Sequence, residues 1–121
     1  MKQRGSGRPV SKRGPHTLAI DIGGTGLKAS VLDPEGNMLV DRLRIDTPYP
    51  CPPPVMLQAL AGLVAPLPPY DRVSVGFPGV VRDGRVLTAP HFGNEVWHDH
   101  PLAAALEKRL ERILSQVRAA V

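Results

Sequence analysis

Hydrophobic positions in this chain fall into short runs, each closed by glycine, proline or aspartate. His16 to Ile22 is a β-prone run that ends at Gly23-Gly24, and Leu27 to Leu32 is a second, closed by the turn sequence Asp33-Pro34-Glu35-Gly36-Asn37. Met38 to Thr47 reads as a third strand, so the opening of the chain is expected to be a meander. After the proline-dense Tyr49 to Pro54, the apolar positions Val55, Leu57, Leu60, Leu63 and Val64 approximate helical spacing. Arg72 to Phe77 reads as a buried strand, and Arg82-Asp83-Gly84-Arg85 as a hairpin turn between Val80-Val81 and Val86-Leu87. A last helix is expected from Pro101 to about residue 118, capped by Asp99 or His100, with Leu102, Leu106, Leu110, Ile113 and Val117 forming a core-facing seam.

The chain has 121 residues, 42% of them hydrophobic, which is enough for one domain with a real core. No apolar run reaches the roughly 18 residues of a membrane span, and the N-terminal fifteen residues lack a signal-peptide core, so the expected location is cytoplasmic, without a membrane partner. The single cysteine, Cys51, has no internal disulfide partner and reads as a loop residue. The formal charge of +4 suggests a polyanion binder until it is located. Lys2, Arg4, Arg8, Lys12 and Arg13 precede the first acidic residue, and without them ten basic face eleven acidic residues. The basicity therefore belongs to a leader, residues 1–15, expected to be a disordered, solvated tail ahead of a domain spanning 16–121. No aromatic residue is interleaved with those charges, so no specific nucleic-acid partner is indicated.

One stretch carries chemistry. In Asp21-Ile22-Gly23-Gly24-Thr25-Gly26-Leu27-Lys28 a tight turn between two strands has three glycines, so backbone N–H groups can approach a ligand with no Cβ in the way. Phosphate suits such a turn, with the Thr25 hydroxyl as a further donor and Lys28 as a point charge. Asp21 can hold a hydrated Mg²⁺ against the same phosphates. The spacing is neither a Walker A loop nor a GxGxxG fingerprint, and a plain glycine-rich hairpin remains the alternative at this point. His91, His98 and His100 crowd one loop, yet the Asp99 spacing makes a poor chelate and no cysteine joins them, so zinc is not expected.

The segment Asp21-Ile22-Gly23-Gly24-Thr25 resembles the first phosphate loop of ROK-family sugar kinases, and the longer DIGGTGLK is similar to the polyphosphate glucokinase branch. The resemblance continues in order through Val75-Gly76-Phe77-Pro78-Gly79-Val80-Val81, Gly84-Arg85-Val86, Thr88-Ala89-Pro90-His91-Phe92, Trp97, and Pro101-Leu102 into Leu106 to Leu110. It implies an α/β, ribonuclease-H-like (actin-like ATPase) N-terminal lobe: a mixed sheet starting with an antiparallel three-strand meander, with helices packed on it. By the same resemblance Gly23, Gly24, Thr25, Gly26 and Lys28 contact phosphate and Asp21 lies near Mg²⁺. Gly76, Pro78, Gly79 and the loop containing Asn94 and Glu95 lie near the sugar, Asn94 and Glu95 reaching a hydroxyl or simply shaping a turn. The implied reaction moves a phosphoryl group from ATP or polyphosphate to glucose or a similar hexose.

The sequence also departs from that pattern. After such a helix the family shows a glycine, a short strand and an Asn-Asp segment whose aspartate is the catalytic base, whereas Glu111 to Val117 is expected to prolong the helix. No residue of the chain is thus assigned as catalytic base, and Asp99 reads as a cap. The second lobe is also missing from these residues, so the isolated chain is expected to be inactive. The alternative is a non-catalytic module that pairs with itself or with a separate C-terminal lobe.

Overall fold

A computed structural model describes residues 14–110 and the backbone of residues 114–119. The basic leader residues 1–13 and the helical seam position Ile113 lie outside the described residues. Five strands form one sheet in the order β3-β2-β1-β4-β7. These are β1 (Thr17–Ile22), β2 (Gly26–Leu32), β3 (Leu43–Asp46), β4 (Arg72–Phe77) and, last in the chain, β7 (Leu114–Ala119). β1, β2 and β3 pair antiparallel, as the meander reading expects, while β4 runs parallel to β1 and β7 parallel to β4. A small hairpin, β5 (Val81–Arg82) and β6 (Arg85–Val86), turns at Asp83-Gly84, where both residues have positive φ. Among the described residues there are three helices, α1 (Pro53–Val64), α2 (Asn94–Trp97) and α3 (Leu102–Leu110).

Alternation decides which face of the sheet is covered. Leu18, Ile20 and Ile22 on β1, Leu27, Ala29 and Val31 on β2, and Val73, Val75 and Phe77 on β4 are all buried. Side chains two apart along a strand share a face, so these rows form one apolar surface. α1 brings Met56, Leu60, Leu63 and Val64 to it and α3 brings Leu102 and Leu106, at spacings that place each set on one helical stripe. The opposite face carries Asp21 and Lys28, which stand across from each other on β1 and β2.

Three expectations need correction. The terminal helix does not run to residue 118: α3 is described over Leu102–Leu110, and residues 114–119 form the strand β7. Leu110 and the residues after it fit a helical period, but the free edge of β4 offers a ladder of backbone partners that a continued helix would leave unpaired. The third strand is shorter than Met38 to Thr47. Met38 makes an isolated bridge to Leu32, and the Ser30 hydroxyl donates to the Val40 carbonyl at 3.1 Å, so the chain bulges out before it re-enters the sheet at Leu43. Finally, Asp99 is not a helix cap. It has φ 64° and its carboxylate accepts from Arg85 Nε at 2.8 Å. The prolines before α1 do not delay it: Pro53 and Pro54 occupy the first turn, where a missing N–H costs nothing. Among the described residues no helix is long and apolar enough to cross a membrane.

Two glycines give opposite expectations. A Cβ on Gly79 would stand 2.0 Å from the Thr88 carbonyl oxygen, a backbone atom that cannot step aside, whereas one on Gly62, exposed within α1, would meet nothing within 4 Å. Gly79→Ala should therefore cost on the order of 2–3 kcal/mol, and Gly62→Ala should add about 0.5–1 kcal/mol. Urea unfolding of the two variants checks both signs.

Candidate functional site

The glycine turn sits at the end of the central strand β1. It is closed by the Gly23 N–H, which donates to the Gly26 carbonyl at 2.9 Å. A Cβ on Gly23 would lie 2.9 Å from that same carbonyl oxygen, so the turn is as tight as glycine allows. Its remaining carbonyls are taken by the residues around β3. The Thr47 hydroxyl donates to the Gly23 carbonyl at 2.7 Å, the Tyr49 hydroxyl to the Gly24 carbonyl, and the Thr47 N–H to the Thr25 carbonyl at 3.0 Å. Arg44 Nη2 also reaches the Thr25 carbonyl, at 3.3 Å, while Nη1 binds Asp46 at 2.7 Å and the guanidinium lies over Gly26. Among the described residues the N–H groups of Gly24 and Thr25 meet no protein acceptor. Two adjacent free amides at a turn are a concave donor surface for an anion.

Register assembles the charged part of the site. Asp21 is exposed and stands between Lys28 on β2 and Gly76 on β4. The proposed metal, phosphate and sugar positions are thus neighbours across three strands. Among the described residues no group of three His, Cys, Asp or Glu converges on a metal. A cation at Asp21 would take most of its oxygen ligands from phosphate and water, which suits Mg²⁺.

The second wall is the loop from Thr88 to Trp97. Its His91 ring lies against Gly24 so closely that a Cβ there would be 2.9 Å from Nδ1. Beneath it, the Phe92 ring is 5.8 Å from both Phe77 and Trp97 and 6.1 Å from Tyr49. Trp97 is fully buried and its Nε1 donates to the Cys51 carbonyl at 2.9 Å. Cys51 is buried, and burial pushes its thiol above its ordinary pKa, which disfavours the thiolate. Gly79 is held under the loop by the Thr88 contact, and the Thr88 hydroxyl accepts from the Val80 N–H at 3.0 Å.

Two sugar-side candidates behave differently from the rest. Asn94 Oδ1 accepts from the Ala89 N–H at 2.6 Å, so this oxygen shapes the loop. Glu95 is exposed in the first turn of α2, and among the described residues no hydrogen bond or ring contact ties either one to the glycine turn. Sequence reasoning missed Arg44, Thr47 and Tyr49, because nothing local marks a polar residue in an extended segment as the partner of a turn some twenty residues earlier.

The fold and the glycine turn define an α/β protein of the actin-like ATPase, ribonuclease-H-like class. The chain belongs to the ROK family, which matches residues 17–119. It is 40% identical over 94 residues to an N-acetylmannosamine kinase of Shigella boydii, an alignment covering 76% of this chain and 32% of the relative. An N-acetylmannosamine kinase of Escherichia coli K12 is 39% identical over the same length. Among solved structures, the inorganic polyphosphate/ATP-glucomannokinase of Arthrobacter sp. strain KM superimposes with a TM-score of 0.74 at 35% identity, over 85% of this chain and 43% of that one. A ROK family glucokinase from Streptomyces griseus, in complex with glucose and AMPPNP, gives 0.69 at 29%, over 86% and 32%. The chain thus spans about a third of the length of the curated relatives it matches.

The underside of the loop carries a pH signature. His100 packs edge-on to Trp97 at 5.4 Å, and its Nε2 is buried without a partner. Burial, with the nearby Arg85 charge, holds its pKa below the ordinary 6.5. Between that value and 6.5 the unfolded chain binds a proton that the folded one refuses, so stability falls as pH drops through this window. Thermal unfolding of the unchanged chain and of His100→Gln, compared from about pH 8 to 5, should show the larger loss in the unchanged chain. Equal losses would mean that the folded ring protonates normally.

Proposed function

We propose that residues 16–121 form the phosphate-side, N-terminal lobe of a sugar kinase, with residues 1–15 as a basic leader. The lobe would serve transfer of a terminal phosphoryl group to a hydroxyl of glucose or a similar hexose. The observation that carries the reading is the pair of free N–H groups at Gly24 and Thr25, in a turn that joins the strands carrying Asp21 and Lys28 and whose Gly24 lies against His91. Phosphoryl transfer needs little covalent help from the protein; it needs positioned charge. In this reading the Gly24 and Thr25 amides and the Thr25 hydroxyl donate to phosphate oxygens, Lys28 offsets their charge, and Asp21 holds Mg²⁺ through water. When bound, Mg²⁺ supplies charge neutralisation at the phosphates. The sugar lies along Gly76, Pro78, Gly79 and the 88–97 loop, with Glu95 at its rim.

The donor is ATP or polyphosphate. The DIGGTGLK segment and the likeness to the Arthrobacter glucomannokinase favour a donor that includes polyphosphate. The N-acetylmannosamine kinases among the relatives keep an amino sugar as the competing acceptor. The location in this reading is cytoplasmic, where these donors occur. No residue of this chain is assigned as catalytic base. Ligands held on one wall bind weakly, because little of their surface is buried.

Two measurements on the 121-residue chain test the proposal. In an NMR titration, tripolyphosphate should shift the amides of Gly24, Thr25 and Gly26 with a dissociation constant of about 1 mM, and Asp21→Ala should abolish the part of the affinity that depends on Mg²⁺. Incubated alone with glucose and either donor, the chain should give no phosphorylated sugar above background. Turnover that vanishes in Asp21→Ala would overturn that second expectation, and amides indifferent to tripolyphosphate would overturn the first.

A further inference from the structure

The segment from Arg44 to Tyr49 makes no contribution to the chemistry described so far, yet three consecutive carbonyls of the glycine turn point at it. Gly23 is held by the Thr47 hydroxyl, Gly24 by the Tyr49 hydroxyl, and Thr25 by the Thr47 N–H together with Arg44. In a trans peptide the C=O of one residue and the N–H of the next point in opposite directions. Fixing the carbonyls of Gly23 and Gly24 therefore fixes the N–H groups of Gly24 and Thr25 on the side away from the segment. Glycines at 23, 24 and 26 would otherwise let these peptide planes rotate with little steric resistance.

We propose that Arg44 to Tyr49 is a brace that aims the anion-binding amides, and that Tyr49 is its positioning residue. Tyr49 touches both walls. Its hydroxyl holds Gly24, and its ring packs on Phe92, next to the His91 that covers Gly24 from the loop side. In the proposed reading Tyr49, beside the direct His91 contact with Gly24, helps to fix a phosphate on the amides relative to a sugar on the 88–97 loop. Tyr49 is itself 55% exposed, so the fold does not depend on burying it. The inference rests on the phosphate reading of the turn given above.

Tyr49→Phe removes the hydroxyl and keeps the ring. In the 121-residue chain it should weaken tripolyphosphate binding about three- to tenfold, as expected for one lost hydrogen bond, well below the melting temperature. NMR order parameters of the Gly24 and Thr25 amides should fall from about 0.85 towards about 0.6. Thr47→Val should act in the same direction and Thr47→Ser should restore the affinity. A merely structural role would lower the melting temperature and leave affinity in the folded chain untouched. Tyr49→Phe that binds tripolyphosphate as tightly as the unchanged chain overturns the brace while the phosphate reading stands. An unchanged chain whose Gly24 and Thr25 amides ignore tripolyphosphate overturns the phosphate reading, and the positioning role with it.

Discussion

A turn stripped of side chains cannot satisfy its own polar groups. The Gly23-Gly24-Thr25-Gly26 turn makes one internal hydrogen bond, from Gly23 to Gly26, and passes the carbonyls of Gly23, Gly24 and Thr25 to residues around β3. That demand accounts for much of what lies around it. The chain must re-enter the sheet beside β2 so that Thr47 arrives opposite Thr25, and the register that pairs Gly26 with Asp46 does this. It must then run on through Pro48 for Tyr49 to reach Gly24, and the chain bends at Tyr49-Pro50, whose peptide is cis. Only at Pro53 is the backbone released into α1.

Position within the sheet explains why the chemistry collects where it does. β1 is flanked antiparallel by β2 and parallel by β4, so at its end a hairpin turn and the exit of a parallel strand lie side by side. Asp21 therefore has Lys28 on one side and Gly76 on the other. The exit of β4 is then folded back by Gly79, whose missing Cβ lets the Thr88 carbonyl approach, and this brings the 88–97 loop up to the turn. Aromatic packing among Phe77, Phe92 and Trp97 holds it there.

Much of this was legible in the sequence, for identifiable reasons. Alternating apolar runs bounded by strong turn residues located β1, β2, β4 and the β5–β6 hairpin, because each is decided by neighbours within a few positions. The glycine turn was legible as a candidate anion site on the same local grounds. What failed depended on distant partners. The helical seam through Leu110 and Val117 is real as spacing, but β4 has an open edge, and its ladder of backbone hydrogen bonds outweighs the weak preference of residues 114–119. Asp99 has the composition of a cap, yet an arginine on β6 fourteen residues earlier claims it. Thr47 and Tyr49 could not be singled out at all, since their hydrogen bonds to the turn span 24 and 25 residues.

The loop over the turn bears on selectivity in the proposed phosphotransfer. Its polar side chains are largely committed to backbone in and beside the loop: Asn94 Oδ1 accepts from the Ala89 N–H and the Thr88 hydroxyl from the Val80 N–H, and just past the loop His98 Nδ1 bonds the Leu87 carbonyl. A wall whose polar groups are already paired gives shape and excludes water, but it offers few free donors or acceptors with which to read one hydroxyl against another. Discrimination between closely related sugars needs buried polar groups left unpaired by the wrong substrate. On this wall His91 and Glu95 are the exposed polar side chains that no hydrogen bond within the loop claims. In the proposed reading the loop sets where the sugar ring lies relative to the phosphate turn, and the choice among hexoses is made mainly by groups other than those that hold the loop together.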